Sequence, residues 1–201
     1  MKNHLKKNGL TLIEVLITMA IVSGIVIIIT MFGLNISDYN LLISQDLEAQ
    51  AELQQALRGI LSEVRSMGPS NNGSYPIMEA TASSFTFHSD IDKDGLFERV
   101  KYYIDGSIFK KSVIKPTGNP LIYNQANEKI SELVHNVVVG ASSSFTYYDK
   151  NYTGTEATLT IPINIPLVRM LKIQLMVDKD PNTLPGPINF SATVMIRNFR
   201  E

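Results

Sequence analysis

Two sets of acidic residues in this chain stand where a carboxylate has chemistry to do. Glu14 sits at the mouth of a 23-residue uncharged run, Val15 to Ser37. An ionisable side chain at the edge of lipid is costly, by about 2.5–3.5 kcal/mol at mid-membrane, and so it calls for a partner. Farther along, Asp90, Asp92 and Asp94 alternate, and Gly95 follows. Alternate carboxylates can converge on one hard cation, and the glycine permits the sharp turn that brings in a following carbonyl. Leu96 would supply that carbonyl, and Glu98 a further oxygen, directly or through water. The pattern departs from an EF-hand at its twelfth position, which is Lys101 rather than a bidentate glutamate. Two readings therefore stand side by side. Asp90, Asp92, Asp94, Leu96 and Glu98 form a calcium loop, or they form a polar turn between strands, since Asp and Gly are what turns prefer. Three aspartates within five residues repel one another without a cation, which keeps the calcium reading alive beside the turn. A second acidic pair, Asp178 and Asp180 ahead of Pro181, reads as an ordinary loop.

No catalytic constellation accompanies these acids, and the chain reads as a non-enzyme. His88 and His135 are 47 positions apart, one alternating with Phe85 and Phe87, the other ahead of an apolar stretch. Ser142-Ser143-Ser144 has no nucleophile-elbow glycines around it. No phosphate-cradling loop, zinc spacing or basic-aromatic surface for single-stranded nucleic acid is present in the sequence. A formal net charge of −1 over 201 residues gives no reason to invoke nucleic acid as a partner. The lack of cysteine excludes disulfides and thiol chemistry. Calcium is the one cofactor the sequence suggests.

The element that must position Glu14 follows a short basic leader, Met1 to Gly9, carrying Lys2, Lys6 and Lys7. A secretory signal would have an apolar core of about 7–15 residues and a small-residue cleavage site beyond it. The run here is too long, and Phe32-Gly33-Leu34-Asn35-Ile36-Ser37 offers no such site. Its length suits a single bilayer-crossing helix, with the lysines holding the leader in the cytoplasm. A plain uncut anchor accounts for the length but leaves Glu14 and the Gly9-Leu10 junction unexplained.

Gly9-Leu10-Thr11-Leu12-Ile13-Glu14, followed by an uncharged helix, resembles the cleavage and methylation signal of type IV prepilins and type II secretion pseudopilins. The resemblance implies that a prepilin peptidase cuts between Gly9 and Leu10 and methylates the new amino terminus, with Thr11 next and Glu14 fifth. The family usually has Phe where this chain has Leu10. The residue matching Glu14 guides subunits into the filament, and the physics agrees. The amine exposed on Leu10 and a neighbouring subunit's Glu14 would neutralise each other in a low-dielectric setting, favouring register over raw stability. The partners implied are the peptidase, other pilin or pseudopilin subunits, an inner-membrane assembly platform and membrane lipid. The expected location is the cytoplasmic membrane, single-pass with the leader in the cytoplasm, and afterwards a pilus or pseudopilus.

Beyond the run, Asp38 to Met67 holds no proline and good helix formers. Leu53, Leu57, Ile60, Leu61 and Val64 recur at helical spacing as one core-facing stripe. Glu52, Gln55, Arg58, Glu63 and Arg65 fall on the opposite face, as solvent contacts. Gly68-Pro69 ends the helix, so 58 residues from Leu10 to Met67 would span roughly 87 Å if continuous. Alternation then predicts strands at Ser84–His88, Phe97–Ile104, Ser107–Lys115, Val134–Val139, Phe145–Tyr148, Thr158–Ile165, Met170–Val177 and Ala192–Arg197. Asp105-Gly106 is a hairpin turn, and Asn127–Leu133 a short helix. The fold class expected is α+β, with a long N-terminal helix packed on a mostly antiparallel β-sheet head. Its parts are a leader at 1–9, an assembly helix at 10–37, an amphipathic helix at 38–69 and a β-rich head at 70–201. Asp90 to Gly95 leading into Glu98-Arg99-Val100-Lys101-Tyr102-Tyr103, with Val194-Met195-Ile196-Arg197-Asn198, is also similar to minor pilins and J-type pseudopilins. The function this implies is a structural minor pilin or pseudopilin. The alternative is a single-pass anchored protein with a calcium-dependent adhesive or ligand-binding head.

Overall fold

The computed structural model describes residues 11–179 and 186–196, with backbone alone at 34–49 and 52; Gly9, Leu10, Asp180 and Arg197 lie outside these ranges. The chain is α+β. Among the described residues one α-helix, α1 (Leu12–Arg65), is followed by eight strands: β1 (Ile77–Ala80), β2 (Ser84–Ser89), β3 (Glu98–Asp105), β4 (Ile108–Ile114), β5 (Lys129–Val134), β6 (Ser144–Tyr148), β7 (Met170–Val177) and β8 (Ile188–Met195). Two compact units divide between Leu47 and Glu48.

In the first unit, residues Leu12–Gly33 are long and apolar enough to cross a membrane. Every large apolar side chain from Leu12 to Phe32 is exposed, a surface that water does not tolerate at this extent. Its hydroxyls make no outside demand. Thr18, Ser23 and Thr30 each donate back to the carbonyls of Val15, Ala20 and Val26, at 2.9, 2.9 and 2.6 Å. Such back-bonding lets a polar residue sit in hydrocarbon with its donor satisfied.

In the second unit, the last turns of α1 bury the expected stripe. Leu53, Leu57, Ile60 and Val64 are buried and Leu61 is packed beside them at the margin. The steps of four, three and four residues return these side chains to one helix face. β1 to β5 form an antiparallel meander in chain order, and β6 to β8 a second, three-stranded one. Phe85, Phe87, Tyr102 and Phe109 from the first sheet, and Phe145, Leu171, Ile173 and Val194 from the second, join the helical stripe in one core. The isolated bridge Val137↔Val177 ties the end of the first sheet's chain to the second.

Four expectations are corrected. The segment 127–133 is not a helix. Only the turn Gln125–Asn127 is helical, capped by the Asn124 side chain, and β5 pairs along β4 with Lys110 opposite Glu132. An open strand edge offers Lys129–Val134 a hydrogen-bonded ladder and an ion pair that a short polar helix lacks. Thr158–Ile165 forms no strand; Pro162 in its middle removes a donor a ladder needs, and Leu159 keeps one bond to the Tyr147 carbonyl. Val134–Val139 breaks at Asn136, whose φ is 59°. The β3–β4 turn is Gly106-Ser107, because Asp105 pairs with Ile108, and the positive φ of Gly106 at the first loop position suits a type II′ turn.

Candidate functional site

Glu14 lies in the first turn of α1, exposed, with a local partner. Its Oε2 accepts the backbone N–H of Thr11 at 3.3 Å and the Thr11 hydroxyl at 3.4 Å. Thr11 directly precedes the helix, so Thr-Leu-Ile-Glu acts as one half of a capping box, with the glutamate reaching back to an N–H at the helix start. A negative charge there also complements the helix dipole. The carboxylate is therefore neither idle nor dependent on a second chain for a hydrogen bond.

The aspartate loop joins β2 to β3, and its carboxylates fold it. Asp90 accepts the N–H groups of Asp94 and Gly95 at 3.1 Å each, and Asp94 accepts that of Leu96 at 2.8 Å. Gly95 has φ +86° and Lys93 φ 61°, so the chain turns through the left-handed region twice. Asn71 braces the turn, donating to the Gly95 carbonyl and accepting the Phe97 N–H. Within this frame the side chains of Asp90, Asp92 and Glu98 each bring an oxygen to within 4.8 Å of the others. Asp94 is not in that group. It turns to Lys115, whose ammonium also bonds Asp92 at 2.8 Å.

Glu98 differs in kind from the aspartates. It is 2 % exposed, and Oε2 accepts the Ile91 N–H at 3.0 Å. Oε1 has no hydrogen-bond donor, and the nearest cation, Lys115, is 4.0 Å away. Burial and the neighbouring Asp92 charge push its carboxyl above the ordinary glutamate range. Lys115, held by Asp92 and Asp94, titrates above the ordinary lysine range, and Asp94 below that of an aspartate because of Lys115 and the Leu96 N–H. Lys101, the twelfth residue of the loop pattern, is in β3 opposite Thr86 and pairs with Glu79 at 3.4 Å.

One expected solvent contact has a different role. The Glu63 carboxylate is largely shielded, receives the Tyr102 hydroxyl at 2.7 Å and pairs with Lys111. Its backbone carbonyl accepts Ser89 Oγ at 2.9 Å. Helical spacing alone puts Glu63 beside the stripe, and the tyrosine opposite turns that border position inward. The histidines occupy separate settings. His88 is buried, Nδ1 lies 3.3 Å from the Tyr75 carbonyl, and its ring packs on Tyr123 at 5.1 Å. Burial holds its pKa below the ordinary histidine value, with Arg99 acting in the same direction. His135 is exposed, 3.2 Å from Glu132. Asp178, from the second acidic pair, donates its N–H to the Asn136 carbonyl, as a loop residue does.

No protein-family profile matches the chain, and no curated protein does. Among solved structures it is similar to a chain in the crystal structure of the GspK-GspI-GspJ complex from the enterotoxigenic Escherichia coli type 2 secretion system. The TM-score is 0.42 at 10 % identity, over 73 % of this chain and 97 % of that one.

Proposed function

We propose that this protein is a structural subunit of the prepilin type. It is inserted in the cytoplasmic membrane by the helix Leu12–Gly33, cut between Gly9 and Leu10 by a prepilin peptidase, and N-methylated at Leu10. It is then assembled with other pilin or pseudopilin subunits on an inner-membrane platform. The observation that carries the reading is the conjunction at the helix start. A carboxylate stands at the first turn of an otherwise uncharged, fully exposed apolar helix, immediately after the Gly9-Leu10-Thr11 junction. Such a helix needs either lipid or other helices around it along its whole length. The carboxylate at its edge is suited to meet a new amino terminus on an adjoining copy. The subunit has no chemistry of its own in this reading and is moved by other proteins.

A plain membrane anchor is the second reading, favoured by the Thr11–Glu14 cap, which gives the carboxylate work inside its own chain. Intact mass and N-terminal sequencing of the chain from membranes containing a prepilin peptidase separate the two. The subunit reading expects an N-methylated chain beginning at Leu10. A retained Met1 with no dependence on the peptidase would leave only the anchor. Glu14→Gln sharpens the result, because glutamine keeps the capping acceptor and removes the charge. It should leave cleavage intact and reduce incorporation into filaments by about tenfold or more, the scale of one lost charge pair in a low-dielectric site.

A further inference from the structure

We propose that the loop from Asp90 to Glu98 binds one calcium ion through the carboxylates of Asp90, Asp92 and Glu98, in competition with the Lys115 ammonium. The inference stands on the head alone and does not depend on how the N-terminus is processed.

The side chain that demands it is Glu98. A buried carboxylate oxygen without a donor is among the more costly features a fold can keep. Here Glu98 Oε1 has none, although the rest of the side chain is fixed by the Ile91 N–H. The side chain forms with Asp90 and Asp92 a set in which one carboxylate oxygen of each lies within 4.8 Å of the others, and Oε1 is on the side of the Lys115 ammonium that bonds Asp92. Lys115 borders this set, bonded to Asp92 and to Asp94 outside it, and 4.0 Å from Glu98. That last separation is too long for a hydrogen bond. The ammonium is held on Asp92 and Asp94, and that distance leaves the Glu98 oxygen unsatisfied.

A calcium ion removes that deficit. It takes six to eight oxygens at roughly 2.3–2.6 Å, accepts carboxylates in one- or two-oxygen mode, and tolerates irregular geometry. Three carboxylates and water can fill such a shell. Magnesium, smaller and reluctant to lose water, suits a single buried carboxylate less well. Lys115 need not become unpaired, since Asp94 lies outside the three-acid set and already holds the ammonium. The frame is in place before any ion arrives: Asn71 fixes Gly95 and Phe97, and Tyr123 donates to the Phe97 carbonyl at 2.7 Å. Glu98, the ninth residue from Asp90, takes the part that a twelfth-position glutamate has in an EF-hand, because Lys101 is committed to the sheet.

The test uses the full chain in detergent micelles, stripped with chelator and titrated with calcium chloride by calorimetry, and with melting followed by near-ultraviolet circular dichroism. One site per chain is expected, with a Kd of roughly 0.1–1 mM, as in extracellular calcium modules. Calcium at about a hundred times Kd should raise the melting temperature by roughly 5–10 °C, and magnesium at the same concentration by far less. Glu98→Gln should raise the melting temperature without calcium and abolish the calcium response. Asp92→Asn, at an exposed position, should weaken binding about tenfold or more while leaving the fold intact. Lys115→Met should tighten binding several-fold, and Asp178→Asn should change nothing. No saturable response up to about 10 mM calcium, or a response that survives both Asp92→Asn and Glu98→Gln, overturns the site. Weaker binding in Lys115→Met overturns the competition.

Discussion

His88 in β2 and Glu98 in β3 are groups that burial shifts in opposite senses. His88 is kept neutral by desolvation, so its folded pKa lies below the ordinary value of 6.5. As pH falls through 6.5 the unfolded chain takes up a proton that the fold refuses. Stability should decline from about pH 7 downward, with a slope of at most about 1.4 kcal/mol per pH unit. Glu98 is raised above 4.5, so the fold holds a proton that the unfolded chain has released. Stability then rises as pH falls from that raised value towards 4.5. Denaturant titrations from pH 7.5 to 4.5 on the wild type, His88→Gln and Glu98→Gln separate the two. A pH slope unchanged in His88→Gln would show that the ring does not carry it. At this scale the sequence was informative about residue type and less so about partner. The spacing Asp90-x-Asp92 and Glu98 was readable because turn chemistry is local. Lys115 and Glu63 were not, since each meets partners more than twenty residues away in the chain. The Thr11–Glu14 cap is a missed signal that was present, a Thr followed three residues later by Glu ahead of an apolar run.

Among the elements, the head end of α1 followed from periodicity because one stripe meets one core. Ile60 is fully buried there, and Ile60→Ala should cost about 2–5 kcal/mol of unfolding free energy. Arg58→Ala on the exposed face should stay within about 0.5 kcal/mol. Chemical denaturation of both variants checks the pair, and equal losses would mean the stripe has been assigned to the wrong face. Strands β3, β4, β6 and β7 were legible for the same reason, an alternation kept by one more buried face, and β2 by its Ser-Phe-Thr-Phe-His alternation although all six of its residues are buried. β5 was hidden: four of its six residues are exposed and its pattern is Lys-Ile-Ser-Glu, so only the free edge of β4 makes it a strand. β1 carried too little alternation in four residues to announce itself.

Across the whole molecule, the buried core lies within residues 53–196, inside the second compact unit. A chain starting at Glu48 therefore keeps every residue of the described core, and it should be soluble without detergent. It should melt cooperatively within about 5 °C of the full chain, since the described core begins at Leu53. Loss of its near-ultraviolet circular dichroism would show that the core needs residues before 48. The α+β class was plain from a helix-period segment followed by strand-period ones. The division into two sheets was not, because it depends on which strand edges meet.

The threonine and serine hydroxyls of the apolar helix, each turned back on a carbonyl one turn earlier, have a consequence for the energetics of transfer. Apart from Glu14 at its edge, the rod's hydroxyls hold no tether to its surroundings. Acyl chains and a neighbour's aliphatic side chains present it with nearly the same free energy, so small differences in packing are enough to move it between them in either direction.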